Sequence, residues 1–562
     1  MTYISIETVG QTSLLFGTSP SIPFFASPVL LPGYLQSCIP SSYLFLCYLQ
    51  ILRSTDFTGR VFFAYSVVTK MDNSIREWLS GKTVLITGGT GFMGKVLLEK
   101  LLRSCPGIEK VYVMCRYKKN LSPSIRIVDL LKLPLFDRLR HENPAALGKV
   151  VSLYGELTRD SLGIRKEDYE EVVKNVSVVF NLAASLKLEA DLRTAVEHNT
   201  IGTLKLLTFA KTFEKLEAFV HISTTFCHPE EEEVKEALMK TPVDPNYVID
   251  LLNWMNPEML EKLRPKILGC HPNCYTFSKA LTEKIVENFA GEVPVCIARP
   301  SIVVPSLREP MPGWVDSLNG PVGVLVAGGK GVLRSMLGKP NVQAQIIPVD
   351  IAINALIIIA WKKATKKEKE LIPVYNISCD EKVPITWGDV LEKGRRYGLE
   401  YPINPGLWYP NGSMTTNQIT HFLTVFLLQL VPAYFIDLLL ICLGHKPFMI
   451  YVQNRINQGS KLLQYFTMRS WKVHIEKAVA LIDAVSEEER LIFYTSNAQY
   501  NIDEFMVAAI LGTKQYCLRE PLSTLPSARR KLKVYYALDV ITKMMLSLFI
   551  IWSSYNALRL FN

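Results

Sequence analysis

The chain has 562 residues, 49% hydrophobic and 20% charged, and its 62 basic and 52 acidic residues leave a net charge of +10. So apolar a chain cannot be disordered throughout, and ordinary Gly and Pro usage (31 and 32) excludes a collagen-like or low-complexity fibre. The length predicts more than one folded unit, and a mean hydropathy of +0.17 is high enough that some apolar surface is expected to face lipid.

Residues 1–70 form an atypical extension. No charge occurs between Glu7 and Arg53, yet Pro20, Pro23, Pro28, Pro32 and Pro40 interrupt every apolar run before it reaches membrane-spanning length. A signal peptide's basic start is missing as well. The texture changes at Met71, which reads as the functional start, with residues 1–70 dispensable or wrongly assigned to the protein.

From Lys82 to about Trp361, short β-branched runs alternate with amphipathic stretches. Strands are expected at Thr83–Thr87, Lys110–Cys115, Val150–Tyr154, Val176–Leu182, Ala218–Ile222 and Val295–Ala298, with helices such as Gly94–Leu102 and Thr203–Phe213 between them. Continuous apolar strands alternating with helices predict an α/β fold with a Rossmann-type doubly wound parallel sheet. This domain is placed at 71–395 and a mainly helical C-terminal domain at 418–520. Ile419–Leu443 is long enough to span a bilayer but carries Gln429, Pro432 and Asp437, so it reads as either a membrane helix or a covering helix of the substrate domain. After a linker containing Pro521 and Pro526, the basic group Arg529, Arg530, Lys531 and Lys533 precedes the apolar Val534–Trp552. A membrane anchor is placed at 534–555, spanning or lying in the interface, with lipid as its partner.

The first strand runs directly into Thr87-Gly88-Gly89-Thr90-Gly91-Phe92-Met93-Gly94 and then a helix. Gly88 permits a tight turn, Gly91 lets backbone approach a pyrophosphate, and Gly94 allows close helix–strand packing. The second strand ends in Arg116-Tyr117-Lys118 rather than in the acid that accepts an NAD ribose hydroxyl. A guanidinium pairs with a 2′-phosphate that a carboxylate would repel, so NADPH is the expected cofactor, with Arg116 and then Lys118 as its partners.

Tyr275 and Lys279 stand i, i+4 on a helical pattern, where an ammonium beside a phenol is expected to lower the phenol pKa. A hydroxyl from Ser223 or Thr224, at the end of the fifth strand, would share the substrate oxygen; the sequence leaves both open. Asn199 is a candidate support for the lysine through a water, or a cap. Eleven cysteines show no CxxC pair, and Cys270, His271 and Cys274 lack a second ligand pair, so no metal site is expected and the thiols read as reduced and cytosol-facing. No dense basic stretch interleaves with aromatics, so no nucleic-acid partner is expected.

TGGTGFMGKVLLEKLL, PLFDRL, NLAASLKLEADL, AFVHISTTFC, YTFSKALTEKIV and ARPSIVVPS together resemble the fatty acyl-CoA reductases of the extended short-chain dehydrogenase/reductase superfamily, insect ones in particular. LVPAYFIDLLLICLGHKPFMIYV and GTKQYCLRE are similar to that family's helical C-terminal domain. The resemblance implies reduction of a long-chain acyl-CoA to a primary alcohol with two NADPH. It also implies that Thr87, Thr90, Phe92, Met93, Ala183, Asn199, Pro300 and Ile302 join Gly88, Gly91, Gly94, Tyr275 and Lys279 around the cofactor. Glu156, Asn181, Gln429 and the residue after Trp471 depart from the family pattern, which touches substrate preference more than chemistry. A cytosol-facing attachment at the endoplasmic reticulum or peroxisome is expected, and a homodimer is left open. Two other readings are a sterol or sugar-nucleotide reductase or epimerase, and a catalytically silent lipid or cofactor sensor.

Overall fold

The computed structural model describes residues 49–55, 61–67, 74–241, 243–366, 370–379, 384–495 and 501–561. The chain divides into two units, Met1–Asp72 and Asn73–Asn562. In the first, Leu49–Thr55 and Val61–Val67 pair antiparallel. Met71 and the rest of the extension, on which the expected start rests, lie outside the described residues.

The second unit holds a seven-stranded parallel sheet. Its strands are β1 (Thr83–Thr87), β2 (Lys110–Cys115), β3 (Val150–Tyr154), β4 (Val176–Asn181), β5 (Ala218–Ile222), β6 (Val295–Pro300) and β7 (Val374–Ile377). The spatial order 3-2-1-4-5-6-7 is that of a doubly wound dinucleotide fold with one strand added at its edge. Alternation along each strand sends side chains into two separate cores. Val84, Ile86, Val111 and Val113 pack with α1 (Phe92–Ser104), while Leu85, Tyr112 and Met114 share the opposite core with Leu206, Leu207, Ile285 and Val286. Burial on both faces is why these strands read as unbroken apolar runs rather than alternating ones.

The remaining helices that matter are α2 (Pro123–Leu131), α3 (Gly202–Ala210), α4 (Cys274–Asn288), α5 (Val349–Thr365), α6 (Trp387–Glu400), α7 (Gln418–Cys442), α8 (Met449–Met468), α9 (Ile502–Gly512) and α10 (Leu525–Phe561). The reductase and helical parts pack as one unit. The expected linker ends earlier than the sequence suggests. Pro526 lies in the first turn of α10, where a missing N–H removes no hydrogen bond.

Two helices among the described residues, α7 and residues 522–556, are long and apolar enough to cross a membrane. Three of their polar groups face the protein. Gln429 accepts from the backbone N–H of Arg334 (2.8 Å) and donates to Gln453 (3.1 Å). Asp437 caps the start of α8 by accepting from the N–H groups of Phe448, Met449 and Ile450, each at 2.9 Å. Asp539 on α10 accepts from the Trp408 indole (2.6 Å) and pairs with Lys543. The outward faces are bare: Ile419, Phe422, Phe435, Phe549, Ile551 and Trp552 are all at least 60% exposed.

Candidate active site

The glycine turn after β1 has the shape its spacing predicts. Gly88 sits at φ +70°, and a Cβ there would lie 2.7 Å from the Ala183 backbone nitrogen. A Cβ on Gly94 would collide with the Gly88 carbonyl, so helix and turn meet only because Gly94 has no side chain. Gly91 is the N-cap of α1 and offers no side-chain cap, and no acid stands in the first turn. The N–H groups and the positive end of the helix are therefore free to hold a pyrophosphate, so the turn fits a dinucleotide. Phe92 and Met93 pack back against the sheet core.

At the floor of the turn, Thr87 donates to Asn181 (2.7 Å) and accepts from the Ala183 N–H (3.2 Å). Pro300 closes β6, and the Ile302 N–H donates to the Gln345 carbonyl (3.0 Å). Arg116 is exposed and pairs with Glu156 at 2.9 Å; Lys118 is exposed in the turn that follows. Arg126 was not legible in sequence. It lies on α2, donates to the Thr90 hydroxyl (3.1 Å) and to the Arg116 carbonyl, and so brings a second guanidinium to the rim of the glycine turn. Its only local signal is a cation one turn into a helix that follows the second strand.

Tyr275 and Lys279 share one face of α4, whose N-terminus is capped by Asn273. Lys279 is buried and donates to the Ile222 carbonyl at 2.6 Å. Burial pulls its pKa down to about 8, against the opposing fields of Glu283 and Cys227. The expectation that Lys279 lowers the Tyr275 pKa is not met. Burial pushes the phenol above its ordinary value, and what pulls it back is a hydrogen bond with Thr224. The ammonium is turned towards the end of β5, so the phenol stays protonated.

Ser223 and Thr224 are both buried, but they differ in what they touch. The Thr224 hydroxyl accepts from the Phe226 N–H (3.3 Å) and lowers the Tyr275 pKa through hydrogen bonding, whereas the Ser223 hydroxyl has no hydrogen-bond partner among the described residues. Asn199 lies in a π-helical turn, Glu197–Ile201, that leads into α3. It accepts from the Ser185 N–H (2.7 Å) and donates to the Ser278 hydroxyl (2.9 Å), so it supports the lysine's helix through the neighbouring residue. Beneath the pair, Arg299 grips Glu283 through Nε (2.8 Å) and Nη2 (2.5 Å). Burial opposes the Glu283 charge, but Arg299 outweighs it and holds the carboxyl well below its ordinary range.

Family models described as male sterility protein match residues 86–356, as an NAD-binding domain, and residues 428–520, as the Sterile domain. Fatty acyl-CoA reductase 1 of Xenopus laevis is 38% identical over 459 residues, covering 82% of this chain and 89% of that protein. The chain belongs to the fatty acyl-CoA reductase family. Fatty acyl-CoA reductase 1 of Homo sapiens is 36% identical and fatty acyl-CoA reductase 2 of Bos taurus 34%, over the same shares of each chain. Among solved structures, the terminal R domain of the myxalamid biosynthetic pathway superposes with TM-score 0.51 at 15% identity, covering 77% of this chain and 90% of that one. A reductase domain of a nonribosomal peptide synthetase from Mycobacterium tuberculosis gives 0.51 at 14%, covering 78% and 92%. These two share the fold. Membership of this family supports a nicotinamide dinucleotide as the cofactor of the chain.

Proposed function

We propose that this chain reduces a long-chain fatty acyl-CoA to a primary alcohol and free CoA, consuming two NADPH. The reading is carried by Thr224, just past the end of β5, lowering the pKa of a protonated, half-buried Tyr275 through hydrogen bonding. When bound, the reduced nicotinamide supplies hydride. Tyr275 donates its phenolic proton to the substrate oxygen as negative charge develops there, and the Thr224 hydroxyl orients that phenol. Collapse of the hemithioacetal returns its hydroxyl proton to the phenolate and expels CoA, whose thiolate takes a proton from solvent, and the restored phenol then protonates the alcohol oxygen after the aldehyde is reduced. Lys279, charged below about pH 8, holds the local positive field and the nicotinamide ribose. Thr224 rather than Ser223 takes the second hydroxyl role.

NADPH is favoured by two guanidiniums at the glycine turn, Arg116 exchanging Glu156 for the 2′-phosphate and Arg126 reaching over Thr90. A hydrogen bond to a charged group contributes about 1.5–3 kcal/mol, so Arg116→Ala or Arg126→Gln should raise the KM for NADPH by about 10–100-fold. The KM for NADH should hardly move. Equal loss with both cofactors would sink the phosphate role.

A cavity of about 180 Å³ lies between Pro321–Gly329, α6 and α9, lined by Val322, Leu325, Met336, Trp387, Phe505 and Met506. Its walls are apolar, as an acyl chain requires. Gly394 on α6 lines it, and a Cβ there would make only ordinary contacts at 3.6 and 3.7 Å. Each excluded methylene forfeits about 0.8 kcal/mol, or about fourfold in affinity. Gly394→Leu should therefore shift preference towards shorter acyl-CoAs. The assay is alcohol formation from NADPH and acyl-CoAs of graded length, by wild type and variant. Cofactor binding without turnover on any acyl chain would overturn the function, and an unchanged length profile would remove the cavity from it.

The bare faces of α7 and α10 support membrane attachment, since their costly polar groups are already satisfied inside the protein. Deleting residues 534–562 should release the protein from membranes; persistent pelleting would place the anchor on α7.

A further inference from the structure

Beside the catalytic pair lies a cluster that the reduction does not use. One carboxylate oxygen of Glu230, the Cys270 Sγ and a ring nitrogen of His271 lie within 4.8 Å of one another. His228 lies next to them, with Nδ1 3.6 Å from Glu230 Oε1, in a second group with Cys227 and Glu283. Both histidines are more than nine-tenths buried. Among the described residues, Nε2 of His271 and both ring nitrogens of His228 have no hydrogen-bond partner. Buried ring nitrogens left without partners are costly, which asks what they are placed for.

The surroundings point to a ligand set. His271 Nδ1 is 3.3 Å from the Thr276 hydroxyl, so Nε2 is the nitrogen left for coordination. His228 turns Nε2 towards Glu283, 3.9 Å away, the carboxylate that Arg299 clamps. His228 thus stands between Glu230 and the clamped Glu283, as an outer-shell partner that orients the Glu230 ligand. Cys270 and Glu230 are exposed, which leaves a route in from solvent.

We propose that Glu230, Cys270 and His271 bind a zinc ion, with a water completing the four-ligand set. Thiolate, imidazole and carboxylate in a four-ligand set suit zinc, whereas magnesium and calcium take oxygen ligands. The cysteine binds as thiolate and gives up its proton on coordination. The ion joins the loop after β5, which carries Thr224, to the segment that begins α4 and Tyr275. It is a structural clamp on the approach of those two groups and touches no reacting atom. Sequence spacing misses it because the adjacent Cys270 and His271 draw Glu230 from a different loop.

The test uses the full chain purified in detergent without chelator. About one zinc per chain should be retained by elemental analysis. Cobalt exchanged for zinc should give a thiolate-to-cobalt charge-transfer band that Cys227→Ser keeps and Cys270→Ser loses. Chelation should lower the melting temperature of wild type and leave that of Cys270→Ser unchanged. Should Cys270→Ser fold poorly, the exposed Glu230→Gln carries the test, weakening zinc affinity by about tenfold or more. A chain that neither retains nor takes up zinc, or a cobalt band that survives Cys270→Ser, would overturn the site and leave His228 as an imidazolium between Glu230 and Glu283.

Discussion

Replacing Tyr275 with phenylalanine should lower kcat/KM for acyl-CoA by about 10²–10⁴-fold, the usual worth of a positioned proton donor. Nicotinamide cofactor binding should persist, because the glycine turn and Lys279 are untouched. The substitution removes one oxygen from a buried site and leaves the ring, so the fold should hold. Thr224 then loses the partner it orients, and Thr224→Val should cost less than Tyr275→Phe while acting on the same step. The two changes should be strongly non-additive, since each disables the same hydrogen-bonded unit. Cofactor titration with single-turnover kinetics separates binding from chemistry. Undiminished alcohol formation by the phenylalanine variant would remove the phenol from the mechanism.

Glu283→Gln should be the most damaging change that touches no substrate. Glu283 and Arg299 are both almost completely buried and joined by two hydrogen bonds. Neutralising one partner strands the other charge in a low dielectric, at a cost of about 3–5 kcal/mol. The Glu283 carboxyl is depressed in the folded state, so its contribution is full above the unfolded carboxylate pKa and is lost as pH falls through the folded one. Denaturant titrations should therefore show the gap between wild type and variant narrowing at acid pH. A second consequence reaches the active site. The Glu283 charge raises the Lys279 pKa against burial, so its removal should drop Lys279 below about 8 and shift the alkaline limb of the pH–rate profile to lower pH. A limb that stays in place would show that Lys279 does not sense Glu283.

The central strands were readable because burial on both faces writes continuous apolar runs that need no knowledge of their neighbours. β1, β2, β3 and β5 run over the residues expected, and β4 stops one residue short. β7 went unread: Val374–Ile377 is four residues long and becomes a strand only through its register with β6, Val374 opposite Ile297. The apolar helices were readable as such, but not their orientation. Gln429 and Asp437 looked like obstacles to lipid. Each instead faces a protein group, which leaves the opposite side of its helix bare.

Sequence by itself determined whatever depends on neighbours along the chain: the glycine turn between strand and helix, the i, i+4 pairing of Tyr275 with Lys279, and the family likeness those motifs carry. Tertiary structure alone decided which carboxylate Arg299 clamps beneath the lysine, and which loop brings Glu230 to Cys270 and His271. The reason is physical. Local periodicity records how each residue is turned relative to its own element. Contacts between elements depend on the sheet order and crossovers that bring distant segments to one strand end, and no local pattern carries those.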